Sequence, residues 1–461
     1  MTAPDMQEVL NKQRNAYLRE GLVTADTRID RISRSIALLQ THGRALCEAM
    51  REDFGHRSTQ QSKITDIGAS ISPLKHAKKN VKKWMRAEKR FSLPYSLLGG
   101  RGRIHYQPLG VVGCISPWNF PVQLTFAPLA GIFAAGNRTM IKPSEFTPAT
   151  SALILELFTK YFDEDEVAVF PGGTDVGTAF SQLRFDHLLF TGAGAIAKHI
   201  LHAAADNLVP VTLELGGKSP VIIGKSADLS LAAQNIMAGK TMNAGQICLA
   251  PDYVFVPEQD TDKFIEAARS SVSTMFADLK DNPDYTSIIN KRHFDRLQGY
   301  LDEARTEGVE VIELNPVNEN FDQQEHLRIP PTLLINPPDH LQVMQEEIFG
   351  PILPVKSYSE VDETLDYINQ RDRPLGLYYF GHDREEEAKV LSNTTSGGVT
   401  INDVIMHIAQ EELPFGGVGP SGMGVYHGYD GFKNFSHGKA VYWQSALISK
   451  LAGAVRPPYR S

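Results

Sequence analysis

Val111-Val112-Gly113-Cys114-Ile115 is followed, at helix-sized intervals, by Thr139-Met140-Ile141, Val167-Ala168-Val169-Phe170 and His187-Leu188-Leu189-Phe190. Each run is apolar and too short for a helix, so each reads as a buried strand, with crossover helices between them. Strands and helices in alternation give a parallel sheet with right-handed connections, an arrangement that binds dinucleotides at the carboxyl ends of its strands. Ser116 to Asn119, Lys142 to Glu145 and Thr191-Gly192 fall at those ends.

Upstream, Ile29, Ile32, Ile36 and Leu39 recur at steps of three and four, one apolar face of a helix over residues 27–53. The spacing predicts a helical hairpin with residues 61–87, whose second helix Pro73 kinks or divides. Lys75, Lys78, Lys79, Lys82 and Lys83 share nearly one face of it, which reads as a solvated surface. Gly99-Gly100-Arg101-Gly102 ends the helical region, and Arg103 to Gln107 alternates as a strand. From Val221 a second α/β unit begins, with helical periodicity from Phe264 to Met275, proline breaks at 329–331 and 336–338, and a strand over Ile352 to Val355. Residues 396–443 are rich in glycine and aromatic side chains, which suits close backbone packing.

At 461 residues the chain is long enough for two or three domains. A net charge of −8 with 46 Lys+Arg gives no basic field for nucleic acid. Met1 to Tyr17 has no apolar leader, and no apolar run approaches the roughly 18 residues of a membrane span. The three cysteines, Cys47, Cys114 and Cys248, match neither a disulfide framework nor a zinc site. A cytoplasmic, metal-free protein is expected. The apolar stretch Ala446 to Val455 is too short to span a bilayer and reads as a surface-docked or disordered tail.

Cys47 and Cys114 sit in apolar periodic runs and read as small core hydrophobes. Cys248 differs, because the glycine-bearing turn Asn243-Ala244-Gly245-Gln246-Ile247 delivers it. Leu213-Glu214-Leu215-Gly216-Gly217-Lys218 supplies a carboxylate, and Ser116-Pro117-Trp118-Asn119-Phe120-Pro121 a side-chain amide. A thiol nucleophile, a carboxylate base and an amide donor are the parts needed to attack a carbonyl, hold the oxyanion and hydrolyse a thioester. Glu214 has a second reading. Gly192-Ala193-Gly194-Ala195-Ile196-Ala197 follows a strand and fits G-x-G-x-x-A, which would make Glu214 a ribose ligand. The glycines after Glu214 and the thiol downstream favour the base.

From about residue 10 to residue 443 the chain resembles the aldehyde dehydrogenase superfamily. The resemblance rests on the two motifs around Asn119 and Glu214, on Gly245-Gln246-Ile247-Cys248, and on Lys142-Pro143-Ser144-Glu145, Phe190-Thr191-Gly192, Glu347-Ile348-Phe349-Gly350-Pro351 and Pro414-Phe415-Gly416-Gly417. The short N-terminus and Gly397 to Val404 are similar to the class 3 branch, and Arg101 to Pro148 to coniferyl aldehyde dehydrogenases. The resemblance implies an α/β aldehyde dehydrogenase fold. In it a Rossmann-like NAD-binding domain spans residues 1–87 and 108–214, and an α/β catalytic domain spans 215–398. Bridging or oligomerisation segments would be 88–107 and 399–443, with a C-terminal tail over 444–461.

The resemblance further implies NAD(P)-dependent oxidation of an aldehyde to a carboxylic acid through a Cys248 thiohemiacetal and thioester. The substrate would be an aromatic, coniferyl-type or medium-chain apolar aldehyde, and the assembly a homodimer. Catalysis would fall to Cys248, Glu214 and Asn119. NAD, or NADP in its place, would be held by Ser116, Pro117, Trp118, Lys142, Ser144, Glu145, Thr191, Gly192, Leu215, Gly216, Glu347 and Phe349. Lys142 would bond the adenosine ribose and Glu145 favour a free 2′-hydroxyl; the other reading of that pair is a loop salt bridge. Asn402, His407 and Phe415 would line the substrate tunnel, with His407 equally a core histidine. Trp118 and Tyr442 read, from the residues alone, as packing. Ala193 and Ala197 stand where relatives commonly carry a small polar residue and a glycine, which bears on cofactor affinity and on the choice between NAD and NADP. Two rivals remain. A catalytically silent binding member would lack one of the three groups, and an enzyme passing its thioester to coenzyme A would have little need of Glu214.

Overall fold

The computed structural model describes residues 3–451 and residue 457. Among them the four apolar runs form adjacent parallel strands, Val111–Ile115, Arg138–Lys142, Val167–Val169 and His187–Thr191. Val211–Glu214 joins them in parallel, and the two-residue strand Gly422–Met423 closes that edge antiparallel. The chain reverses its direction of winding between Val111–Ile115 and His187–Thr191, so the crevice beyond this junction is the switch point at which doubly wound sheets bind ligands. Register carries the strand ends to one rim, with Ile115 opposite Lys142 and Thr191 opposite Glu214.

The helix Ala25–Asp53 begins at Thr24, whose hydroxyl accepts from the Thr27 N–H, and it packs beside Ala69–Trp84 as the expected hairpin. Pro73 does not divide the second helix. It lies in the first turns of Ala69–Trp84, and the irregularity sits upstream as a π-helical turn over Lys63–Gly68. The five lysines of this helix are exposed. Between the hairpin and the sheet runs Gln123–Ala135, apolar all round and buried at every residue, so it serves as the central core helix.

The second unit is a seven-stranded sheet in the order Glu310–Glu313, Thr332–Ile335, Ile352–Tyr358, Tyr253–Pro257, Pro220–Ile223, Gly376–Phe380 and Gly398–Ile401. All its pairs are parallel except the first. A third sheet pairs Arg101–Pro108 antiparallel with Glu88–Arg90 and Ser436–Trp443. Residues 399–443 therefore reach all three sheets. Close backbone packing holds them, since a methyl group on Gly417 would run into the Ser421 carbonyl and one on Gly416 into that of Gly424. Tyr442, expected as packing, is 51% exposed and meets Tyr95 only edge to face. At the C-terminal end, Ala446–Leu451 is helical and seats Ile448 against the glycine turn at Gly100. The rest of the apolar stretch, to Val455, lies outside the described residues.

Candidate active site

Cys248 leaves the second unit on a loop between the helix Leu229–Thr241 and the strand Tyr253–Pro257. Three consecutive residues before it, Asn243, Ala244 and Gly245, take positive φ of 51°, 52° and 74°. Such backbone persists only where its surroundings over-determine it. Here the Gln61 side chain accepts from the Asn243 N–H at 2.9 Å, the Gln246 amide donates to the Asn243 and Ser287 carbonyls, and Gln246 Oε1 accepts from the Ile289 N–H. Gly245 also lies against the Gly350 carbonyl, where a Cβ would collide. The sequence Asn-Ala-Gly-Gln is thus a mould that holds the thiol in place.

The amide expected to serve the thiol is held by the same loop. Asn119 is 3% exposed and its Nδ2 donates to the Gln246 carbonyl at 3.1 Å. Its own carbonyl accepts from Asn243 Nδ2 at 3.1 Å and from Arg57 Nη1 at 2.7 Å. Arg57 in turn donates to Asp66 Oδ2 at 2.7 Å, and both side chains are fully buried. Asp66 sits in the π-helical turn and its other oxygen accepts the Gln123 N–H at the start of the core helix. Sequence reasoning passed over Arg57 and Asp66, although a buried ion pair next to an amide donor has a clear positioning role. Arg57→Met is expected to leave Asp66 buried and unpaired, lowering unfolding free energy by about 3–5 kcal/mol in denaturant titrations. The double variant with Asp66→Leu should recover part of that loss.

Two cavities meet at the sulfur. The cofactor-side cavity, about 480 Å³, is lined by Pro117, Trp118, Asn119, Thr191, Gly192, Leu215, Gly216, Glu347 and Phe349, and it opens on Cys248 and Glu214. The second, about 210 Å³ and largely apolar, runs from the same Cys248 and Glu214 past Phe120, Leu124, Ile405 and Phe415. Glu214 is 1% exposed, and neither of its oxygens receives a hydrogen bond of ordinary geometry. Burial raises its carboxyl to about 8, against a smaller pull downward from the Cys248 thiol. Burial, with the charges of Glu214 and Glu347, raises the Cys248 thiol well above its usual value. Cys47 and Cys114 are buried in the core, and burial pushes their thiols up to about 11 and 12.

Of the twelve expected cofactor residues, eight line the crevice and four stand outside its lining. Ser116 is buried with its hydroxyl on Thr125 at 2.7 Å. Lys142 donates to Glu145 at 2.7 Å, so the loop salt bridge is present. Burial works against the Glu145 carboxylate, but the hydrogen bond from Lys142 leaves its carboxyl below the usual value. Ser144 accepts from the Phe146 N–H, closing the turn after the strand. Trp118 does more than pack, since it walls the crevice between Phe349, 5.4 Å away edge to face, and His293, 5.2 Å away. His293, Arg296 and Glu346 are further lining residues that no motif announced. Phe415 lines the apolar cavity, but Asn402 and His407 do not. Asn402 uses both ends of its amide on the Gly381 backbone, and His407 bonds Thr400 at 2.9 Å as a core histidine.

The crevice fits a dinucleotide. Glu347 Oε1 is buried without a partner at its edge, and Gly216 is bare where a Cβ would strike that carboxylate. The helix Gly194–Asp206 begins at the rim, with Ala193 and Ala195 in the lining, so its unpaired N–H groups suit a pyrophosphate. Ala197 is 2% exposed and belongs to the core under the sheet. The G-x-G-x-x-A match follows the fourth strand of this sheet in chain order, whereas the dinucleotide fingerprint of doubly wound folds follows the first. Lys218 fixes the far wall, bonding Asp252 and the carbonyls of Val343 and Glu346, just before Glu347.

The model of the Aldehyde dehydrogenase family matches residues 1–441. A "Probable coniferyl aldehyde dehydrogenase" of Caulobacter vibrioides is 58% identical over 457 residues, 98% of this chain and 94% of that protein. The substrate-bound structure of Staphylococcus aureus AldH superposes with a TM-score of 0.90 at 33% identity, over 98% of this chain and 99% of that one. A Mycobacterium tuberculosis aldehyde dehydrogenase complexed with NAD+ does so with a TM-score of 0.85 at 25% identity, over 95% and 90%. A thiol and a carboxylate at the junction of an apolar cavity and a dinucleotide crevice, on this fold and with these relatives, place the chain in the aldehyde dehydrogenase family, as an aldehyde-oxidising oxidoreductase.

Proposed function

We propose that this enzyme oxidises an aromatic, coniferyl-type aldehyde to its acid with NAD. The observation that carries the reading is the junction of the two cavities at Cys248 and Glu214, one small and largely apolar, the other at the switch point of the sheet. Its volume of about 210 Å³ lies below the roughly 300–1,000 Å³ of drug-sized pockets, which suits a single ring with a short arm. The name of the Caulobacter relative points to the same substrate class.

In this reading Cys248 attacks the aldehyde carbon as thiolate, and Asn119 Nδ2 with the Cys248 N–H donates to the oxyanion. Bound NAD supplies the hydride acceptor, held by Trp118, Thr191, Gly192, Gly216, Glu347 and Phe349. Glu214 then takes a proton from the water that cleaves the Cys248 thioester, releasing the acid and restoring the thiol. Asn119→Ala is expected to lower kcat by about 10²–10³ with little change in folding, as loss of one oxyanion donor does.

The decisive screen offers coniferyl aldehyde, benzaldehyde and hexanal with NAD and with NADP, reading nicotinamide reduction. Highest kcat/KM for the cinnamyl frame with NAD is expected, and preference for hexanal would refute the aromatic reading.

The same proposal includes a cytoplasmic homodimer joined through segments 88–107 and 399–443. Support comes from two sheet edges without a strand partner among the described residues, Gly398–Ile401 and Ser436–Trp443, and from exposed Phe91, Leu93 and Leu97 within the first of the two segments. For the location, the three cysteines are free, and among the described residues no helix is long and apolar enough to cross a membrane. Sedimentation velocity should give a species of twice the chain mass, and a monomer at micromolar concentration would contradict the dimer.

A further inference from the structure

The apolar cavity contains one acid that the reaction does not use. Glu411 follows the short helix Met406–Ala409 and lines the cavity together with Thr65 and Ser72 from the opposite helical layer. Its Oε2 is buried and has no hydrogen-bond partner. A buried acceptor atom left so costs free energy unless something donates to it. Other roles are poorly supplied. Burial raises the Glu411 carboxyl, and a hydrogen bond from the Ser72 hydroxyl pulls it down. The neighbouring His76 pairs with Glu412 instead, at 3.3 Å. Glu411 is therefore an acid in the wall of a largely apolar cavity, with Phe120, Leu124, Ile405 and Phe415 among the lining residues shared with Cys248.

We propose that Glu411 is a specificity-determining residue, accepting the hydrogen bond of a phenolic O–H on the ring of the aldehyde while the carbonyl lies at Cys248. The inference rests on the aromatic reading and deepens it by naming the substituent. A cinnamyl frame is rigid, so a hydroxyl on its ring and the aldehyde are held apart at a fixed span, and one acceptor in the cavity wall reads the hydroxyl without touching the chemistry. A hydrogen bond to a buried carboxylate discriminates strongly, because the analogue without the donor leaves the acceptor unpaired.

The test measures kcat/KM for 4-hydroxycinnamaldehyde, cinnamaldehyde and 4-methoxycinnamaldehyde in the wild type, Glu411→Leu and Glu411→Gln, using the full chain with NAD. The wild type is expected to prefer the phenol over both analogues by about 10- to 100-fold. In Glu411→Leu this ratio should fall to about one, and in Glu411→Gln the amide oxygen should retain part of it. The ratio is internal to each variant, so a partly unfolded preparation does not imitate the effect. A wild type that oxidises all three equally, or a Leu variant that keeps the wild-type ratio, overturns the role of Glu411 while leaving the aromatic reading intact. A wild type that prefers hexanal to every cinnamyl aldehyde overturns that reading and this inference with it.

Discussion

Cys248→Ala is expected to reduce aldehyde oxidation to the uncatalysed background while the protein still folds and still binds NAD. The reason lies in the loop rather than in the thiol alone. The left-handed turn over Asn243 to Gly245 is fixed by Gln61, Gln246 and the Gly350 backbone, none of which bonds the sulfur, so removing it leaves the mould in place. Cys47 and Cys114 cannot substitute, being buried in the core with thiols pushed up to about 11 and 12. The loss is expected to exceed that of any other single substitution, since no covalent route remains. Tryptophan fluorescence should still report NAD binding, because Trp118 walls the crevice. Residual turnover above background would place the nucleophile elsewhere.

The second large effect belongs to Glu214. Glu214→Gln is expected to lower steady-state kcat by about 10²–10⁴, the usual range for a lost general base. A burst of nicotinamide reduction should survive, because the amide leaves Cys248 and Asn119 intact while the water loses its proton acceptor. The pH profile gives an independent check. Burial raises the Glu214 carboxyl to about 8, so below that pH it is protonated and cannot accept a proton. The wild-type hydrolytic step should therefore speed up about tenfold per pH unit below about 8 and level off above it. In Glu214→Gln that limb should vanish from the hydrolytic step. If the variant instead only weakens NAD binding, Glu214 is a ribose ligand after all.

Much of this was legible in the chain because buried parallel strands leave unbroken apolar runs. Val111–Ile115 and its partners could be read directly, and their carboxyl ends then located the crevice. Pro73 misled because its effect depends on the π-helical turn upstream, which leaves no signature in composition. Asn402 and His407 misled for a related reason. Polar residues in a glycine-rich loop are equally suited to a tunnel wall or to satisfying backbone, and register alone assigned them to Gly381 and Thr400. Arg57, Asp66, His293 and Glu411 were invisible for want of any motif, since each acquires its role from a neighbour distant in sequence.

The central claim is that a Cys248 thioester forms and that Glu214 releases it. The direct measurement mixes Glu214→Gln once with NAD and cinnamaldehyde, quenches in acid during the burst, and weighs the peptide carrying Cys248. The account predicts a mass gain of one cinnamoyl group on that peptide, absent without NAD. Reduced nicotinamide formed while the Cys248 peptide stays unmodified, or an adduct on any other residue, would contradict it.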